Sequence, residues 1–139
     1  MSALTIAGSS STTTGLTIWN STDMGATTPL TNTLYKENIV KGWVIYDSTT
    51  ATPTLRNSFN VSSLTDSGVG LITINWDIDF ANAHYAVVGT ASSPGVSDGF
   101  AEADSDLAVG SVRIKTADPG APTTAKDLNT ISIIAIGDQ

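Results

Sequence analysis

The clearest pattern in the chain is a strict alternation of apolar and polar residues over Leu71–Phe80. A side-chain period of two is typical of a β-strand in an antiparallel sheet, with one buried and one solvated face. The alternation therefore predicts such a strand here. Its predicted buried face comprises Ile72, Ile74, Trp76, Ile78 and Phe80, and its solvated face comprises Thr73, Asn75, Asp77 and Asp79.

Further segments rich in β-branched and aromatic residues predict additional strands. These segments are Val40–Tyr46, Thr54–Val61, Tyr85–Ala91, Val109–Thr116 and Thr130–Ile136. Ser63–Gly70 predicts a turn, and the Pro- and Gly-containing stretches Ser92–Ala108 and Ala117–Asp127 predict long loops. Short strands with polar connections and no helical periodicity predict an all-β fold, a single antiparallel β-sandwich or jelly-roll-like domain.

The composition changes near residue 40. Residues 1–39 are rich in Ser, Thr, Gly and Asn, with short apolar groups at Leu4–Ala7 and Leu16–Trp19. Ser9–Gly15 is a low-complexity stretch, which favours a loop or an extended segment. We therefore expect an extended amino-terminal arm with short strands over residues 1–39, followed by the β-sandwich domain over residues 40–139.

Charge and cysteine content restrict the kinds of partner and site. The chain of 139 residues has a net charge of -7 and only six basic residues, so we expect no nucleic-acid partner. It has no cysteine, which removes disulfides and thiolate chemistry. No apolar run approaches the ~18 residues of a membrane-spanning helix, so we expect no membrane partner. The amino end lacks the basic and apolar regions of a secretory signal, which predicts synthesis in the cytoplasm.

Three groups of residues are candidates for catalysis or metal binding. Asp77 and Asp79 lie on one face of one predicted strand, whereas a glycosidase needs opposed carboxylates. His84, the single histidine, has no second histidine as a metal-ligand partner and no Gly-x-Ser-x-Gly motif beside it. The third group could hold Ca2+ with oxygen ligands, but its spacing differs from that of an EF-hand, and a solvated acidic loop is the interpretation that we favour. This group comprises Asp98, Glu102, Asp104 and Asp106. We therefore assign no catalytic, cofactor-binding or metal-binding residue and expect neither a cofactor nor enzyme activity.

Aromatic residues are the remaining candidates for a binding surface. Phe59, Trp76 and Tyr85 fall within strand patterns, so we predict that they pack in the core. Trp19 and Phe100 lie in less regular regions and are the better candidates for contacts with a partner.

The segment from Arg56 to Tyr85 contains an Arg-x-Ser-Phe-Asn-Val-Ser-Ser-Leu-Thr-Asp run, a Gly-x-Gly turn and a Thr-Ile-Asn-Trp strand. The residues concerned are Arg56, Ser58, Phe59, Asn60, Val61, Ser62, Ser63, Leu64, Thr65, Asp66, Gly68, Gly70, Thr73, Ile74, Asn75 and Trp76. This pattern resembles a recurring module of tailed-phage structural proteins, found especially at the outer ends of tail fibres, in which an Arg-x-Ser-Phe/Tyr-Asn-Val-Ser-Ser-hydrophobic-Thr-Asp run precedes a Gly-x-Gly turn and a Thr-hydrophobic-Asn-aromatic strand. Two loops depart from the module, since Ser48–Pro53 is longer and lacks glycine, and Ala81–Tyr85 stands in place of Pro-Asp-Ala-Asn-Tyr.

The resemblance implies a non-enzymatic bacteriophage virion protein and carries over no receptor-binding residue. The interpretation that we favour is a head decoration (cement) protein that binds the outer capsid surface and stabilises it. The alternative is a tail-fibre or other tail component with a host-receptor binding role, and a lectin or carbohydrate-active enzyme is the third. The expected partners are the major capsid protein or tail proteins and, by the resemblance, further copies of the chain in a homotrimer.

Overall fold

The computed structural model describes residues 39–139, apart from the side chains at positions 96–98 and 105–106. The predicted arm therefore lies outside the described residues, except for its last position. Over the described range the chain forms nine β-strands and no helix. They are β1 (Val40–Asp47), β2 (Thr54–Phe59), β3 (Val61–Gly68), β4 (Leu71–Trp76), β5 (Ala86–Ser93), β6 (Val96–Ala108), β7 (Ser111–Asp118), β8 (Ala121–Ala125) and β9 (Thr130–Ile136).

The strands pair antiparallel in the order β2-β1-β9-β5-β6-β7-β4-β3, and β8 pairs with β7. The long strand β6 belongs to both halves of this sheet, because Gly99 pairs with β5 and Phe100 pairs with β7. We call β2-β1-β9-β5 the first layer, and β7-β4-β3 with β8 the second layer. Since β6 passes from one layer to the other, the sheet folds over and nearly closes, as in a sandwich or barrel. The predicted all-β antiparallel fold is confirmed.

The core lies between the layers and uses alternate residues of the inner strands. In β1, β4 and β9 buried positions alternate with more exposed ones, and the same holds for most of β7. Ile72, Ile74 and Trp76 are buried, as the alternation predicts. Each fully buried aliphatic side chain contributes about 1.5–3 kcal/mol, so this double layer is the main source of stability. The largest fully buried side chains are Tyr46, Ile72, Ile74, Ile114, Leu128, Ile131 and Ile133.

The predicted strand Leu71–Phe80 is shorter in the structure, because β4 ends at Trp76. Ile78, which the alternation assigns to the buried face, is 62% exposed, whereas Phe80 is buried. The backbone leaves the sheet here because the Asn60 side chain accepts a hydrogen bond from the Ile78 N–H (2.7 Å) and donates one to the Ile78 carbonyl (3.0 Å). The prediction for Ile78 was therefore wrong.

The segment predicted as a turn, Ser63–Gly70, is mostly strand. β3 runs over Val61–Gly68, and only Val69–Gly70 forms the turn. Serine and threonine favour turns when read along a sequence. Here they lie on a strand at the end of the sheet and bond across to β4, as in the 2.9 Å contact between the Ser67 and Thr73 hydroxyls. The turn prediction was wrong because it took an exposed polar face for a loop.

The two predicted long loops were also wrong. Within Ser92–Ala108, β5 and β6 form a hairpin whose turn is Pro94-Gly95, and Gly95 has a positive φ of 82°. Within Ala117–Asp127, β7 and β8 form a hairpin whose turn is Pro119-Gly120. Both stretches contain small residues with weak periodicity, so pairing with a neighbouring strand decided their conformation. The remaining strand predictions agree with β1, β2, β5, β7 and β9 to within two residues at each end.

Candidate interaction surface

Apolar side chains form a continuous row across the outer face of the first layer. Residues directly opposite one another on antiparallel strands point to the same face of a sheet. Phe59 of β2 lies opposite Trp43 of β1, which in turn lies opposite Ile134 of β9. Ile134 lies opposite Val88 of β5. The row therefore crosses all four strands of the layer.

A second apolar row lies beside the first. In it Val40 is opposite Ile136, which is opposite Ala86. Phe59 and Val88 of the first row are 54% and 59% exposed. Contiguous exposed apolar surface of this kind is typical of a site of interaction with another molecule. We call these two rows the apolar face, which comprises Val40, Trp43, Phe59, Ala86, Val88, Ile134 and Ile136.

The aromatic residues are divided between the core and the surface differently from the prediction. Phe59 was assigned to the core, but it faces outward on β2 at the end of the sheet, so that assignment was wrong. Trp76 and Tyr85 are buried at 4% and 5% exposure, which confirms their assignment. Phe100, a candidate for partner contact, is 49% exposed on β6. Trp19, the other such candidate, lies outside the described residues.

Few charged residues occur in the first layer. Its four strands contain two cations, Lys41 and Arg56, and one carboxylate, Asp47. Asp47 lies at the end of β1 away from the apolar face, where its Oδ2 atom is 3.0 Å from the Arg56 guanidinium. A hydrogen bond from the Thr49 hydroxyl is the main cause of a lowered pKa at Asp47, and Arg56 acts in the same direction. The single carboxylate of this layer is therefore ionised and already paired.

The outer face of the second layer is polar instead. The Asn75 amide on β4 donates hydrogen bonds of 3.0 Å to the hydroxyls of both Ser63 and Thr65 on β3. On the neighbouring strands, Arg113 of β7 forms a 2.8 Å ion pair with Asp104 of β6. Exposed amide, hydroxyl and ionic groups form hydrogen bonds both with one another and with water. This face is therefore stable in contact with solvent. The two outer faces of the domain therefore differ in chemistry.

Asn60 forms the corner at which the chain passes from β2 to β3. It is the single residue between the two strands, and its φ of 57° lies in the left-handed region that Asn tolerates better than most residues. Its side chain makes the two hydrogen bonds to the Ile78 backbone described above. Next to it, the Ser62 hydroxyl donates to carbonyl oxygens at the end of β4, with that of Asn75 at 3.1 Å. Asn60 and Ser62 thus have structural roles in shaping the corner.

Trp76, Phe80 and Tyr85 form an aromatic cluster at one end of the core. The Phe80 and Tyr85 rings stack with centroids 4.0 Å apart, and the Trp76 indole N–H donates to the Tyr85 hydroxyl oxygen at 3.2 Å. That hydroxyl lies 2.9 and 2.8 Å from the carbonyl oxygens of Ala108 and Ser111. Burial is the main cause of a raised pKa at Tyr85, so the phenol stays neutral and serves as a packing and bonding group.

The acidic residues proposed as a possible calcium site do not form an isolated loop. They lie on β6, where Asp104 pairs with Arg113 and the Glu102 carboxylate is 3.5 Å from the Lys115 ammonium. Among the side chains that the structure describes, no three Asp, Glu or His residues converge as metal ligands would. The prediction of a solvated acidic loop was wrong in its secondary structure, because pairing with β7 extends β6 through it.

The other sequence candidates lie on exposed connections. Asp77 and Asp79 follow the end of β4, so their predicted place on one face of a strand was wrong. His84 is exposed, and its backbone N–H donates to the Asn82 side chain at 2.8 Å. These residues contribute to the loops that close one end of the domain.

Two further findings bear on function. Over residues 39–139 there is no helix of the length and apolar character needed to cross a membrane. Comparisons with protein-family models, with characterised proteins and with solved structures give no match for this chain. The contrast between the apolar and the polar outer face is therefore the main structural basis for inferring a function.

Proposed function

We propose that this chain is a non-enzymatic structural protein of a bacteriophage virion, and specifically a head decoration (cement) protein. The observation that carries the proposal is the apolar face, an uncharged surface across four strands of a domain whose other outer face is polar. A domain built to adhere needs one face that prefers contact with protein and another that prefers water. The resemblance of Arg56–Tyr85 to tailed-phage structural modules supports the same class.

The proposed mechanism is adhesion without chemistry. The apolar face is covered by neighbouring protein in the particle, either capsid subunits or further copies of the chain, while the face around Asn75 and Arg113 points to solvent. Burial of Phe59, Val88 and Ile134, which are 40–59% exposed, removes apolar surface from water. At about 25 cal/mol per Å2 such burial favours association, and repetition over a symmetric shell multiplies a modest contact.

A tail-fibre or other tail component with a host-receptor role is the second candidate. It is favoured by the motif itself, because the resembling modules occur especially at the outer ends of tail fibres. Phe100, which is 49% exposed on β6, offers an aromatic contact outside the apolar face. In this case the partners are tail proteins, and the self-association is again the proposed homotrimer.

The experiment that tests the proposal is quantitative mass spectrometry of purified particles from a phage that encodes the chain. A copy number in simple ratio to the major capsid protein supports decoration of the head. A copy number that matches tail proteins supports the second candidate and contradicts the first. Absence of the chain from particles that contain all their known proteins would overturn both.

A further inference from the structure

We infer that the apolar face is a self-association surface, covered by the same face of another copy of this chain. The inference deepens the proposed function by naming the partner at that surface, and it rests on that function only for its place in a particle. We expect the purified chain to self-associate in solution without any other component of a particle.

The charge distribution favours a second copy at this face. The whole chain has a net charge of -7, so two copies repel each other unless they meet through surfaces without carboxylates. The strands outside the first layer carry six acidic residues against Arg113 and Lys115. The first layer has only Asp47, which is paired with Arg56. Two copies can therefore stack their first layers without bringing unpaired carboxylates together.

The same distribution argues against partners that are recognised by charge. The apolar face has no charged member, so it offers nothing to a nucleic acid, an anionic membrane surface or a strongly charged peptide. Among the cations that the structure describes, Lys41 adjoins the face, since it lies on β1 between Val40 and Trp43. This face matches a partner surface that is apolar and uncharged. The same face on a second copy of the chain is such a surface.

The shape of the face suits stacking against an identical sheet. Directly opposed residues on four adjacent strands give a continuous layer of side chains, from Phe59 through Trp43 and Ile134 to Val88. Sheets pack face to face at about 10 Å with their side chains interdigitated. About a twofold axis the whole apolar face covers the same face of one other copy, whereas about a threefold axis one half of the face covers the other half of the face on the next copy. Both arrangements are closed, so they limit the assembly to a defined size.

The area sets the expected strength. The two rows of the apolar face cross four strands about 4.8 Å apart, and same-face residues along a strand lie about 6.6 Å apart, so the face spans roughly 19 by 13 Å, or about 250 Å2 in projection. A standard-size interface buries about 800 Å2 per partner, so this face alone reaches about a third of it. We therefore expect weak, reversible association of the isolated chain, in the micromolar range and dependent on concentration.

Sedimentation velocity of the full chain over a range of concentrations tests the inference. Val88→Glu places a carboxylate in the middle of the apolar face, at a position that is 59% exposed and therefore tolerant of a polar side chain in the monomer. Val69→Glu is the matched control, since Val69 is 65% exposed in the β3–β4 turn of the other layer. We expect the unaltered chain and Val69→Glu to associate alike. Val88→Glu should weaken association by more than about tenfold, because the contact would bury an unpaired charge.

A second measurement uses the absence of cysteine. Val88→Cys and Val69→Cys each introduce the only thiol in the chain, so a short bis-maleimide reagent can join copies only through that position. We expect covalent oligomers from Val88→Cys and none above background from Val69→Cys. Circular dichroism confirms the fold of each variant, and Val88→Ser replaces Val88→Glu if the latter is unfolded.

Three results would overturn the inference. They are a monomer at every concentration with no crosslinking through position 88, an oligomer that Val88→Glu leaves intact, or equal weakening by Val88→Glu and Val69→Glu. Each is independent of the particle composition that tests the proposed function. If the chain self-associates through this face but is absent from particles, the inference stands and the proposed function is wrong. If the chain is present in particles but does not self-associate through this face, the proposed function stands and the inference is wrong.

Discussion

Tyr46 and Tyr85 should respond in opposite ways to the same chemical change. The Tyr46 side chain is fully buried on β1, and among the described residues its hydroxyl has no hydrogen-bond partner. The Tyr85 hydroxyl, by contrast, contacts the Trp76 indole N–H and two carbonyl oxygens. Replacement of either tyrosine by phenylalanine removes one oxygen and keeps the ring.

The expected change in the free energy of unfolding follows from the hydrogen bonds that each hydroxyl makes or lacks. A polar group left unpaired in a protein interior costs about 1–3 kcal/mol, so Tyr46→Phe removes that cost, less a few tenths for lost dispersion contacts. We expect the free energy of unfolding to rise by about 1–2 kcal/mol. Each 1 kcal/mol corresponds to roughly 4–8 °C in Tm for a domain near 100 residues. Tyr85→Phe should instead lower the free energy of unfolding by about 1–3 kcal/mol, since it leaves the Trp76 N–H unpaired.

Alkaline pH gives the same hydroxyl a second signature. Burial raises the pKa of Tyr46 well above its ordinary value, so the folded state keeps a proton that the unfolded state loses. The stability from this linkage is complete below the unfolded pKa of about 10 and is lost as pH rises towards the folded pKa. Relative to Tyr46→Phe, the free energy of unfolding of the unaltered chain should fall by about 1.4 kcal/mol for each unit of rising pH between these two pKa values.

Urea unfolding monitored by far-ultraviolet circular dichroism measures both effects. The unaltered chain, Tyr46→Phe and Tyr85→Phe are compared at neutral pH, and the first two again at alkaline pH. Equal slopes of free energy against urea would show that the mutations act on stability and not on the extent of unfolding. A loss of more than about 1 kcal/mol in Tyr46→Phe would refute the reasoning, because it would mean that the hydroxyl is satisfied in solution.

The remaining predictions concern the β3–β4 turn at Gly68 and Gly70 and the corner at Asn60, which shape the second layer. Gly70→Ala should lower the free energy of urea unfolding by more than about 3 kcal/mol, because φ is +64° and a Cβ would clash with the Lys126 backbone nitrogen. Gly68→Ala, with φ at +126° and open space around the Cβ, meets backbone strain without a clash and should cost less, about 1–3 kcal/mol. Asn60→Gly keeps the left-handed conformation but loses both bonds to the Ile78 backbone, so thermal unfolding should show a loss of about 1–3 kcal/mol. Equal costs for the two glycines, or no cost at Asn60, would contradict these contacts.

Much of the fold could be predicted because the side-chain period is local. Alternation over Leu71–Trp76 places Ile72, Ile74 and Trp76 on one face whatever the rest of the chain does. β9 coincides with the predicted strand Thr130–Ile136 because a high content of β-branched residues is also a local property. The prediction failed where polar residues form strands, as in β3, because an exposed polar face and a loop have the same composition.

The corner at Asn60 shows a second limit. The run of residues around it, Arg56–Asp66, was visible in the sequence. Its physical role depends on Ile78, 18 residues further along, whose backbone N–H and carbonyl both bond to the Asn60 side chain. That pairing requires β3 and β4 to be in register already, so local sequence could not reveal it.

By itself the sequence determined an all-β chain, the buried faces of its strongly alternating strands and an acidic, cysteine-free composition. Only the tertiary structure decided that one outer face is apolar. In β9, Ile133 points into the core and its neighbour Ile134 points out, yet both are the same residue type. The row containing Ile134, Trp43 and Val88 comes from segments far apart in the chain, and its register is set by strand pairing. An apolar face of this kind exists only once the sheet has formed, because it is a property of neighbouring strands and not of any one of them.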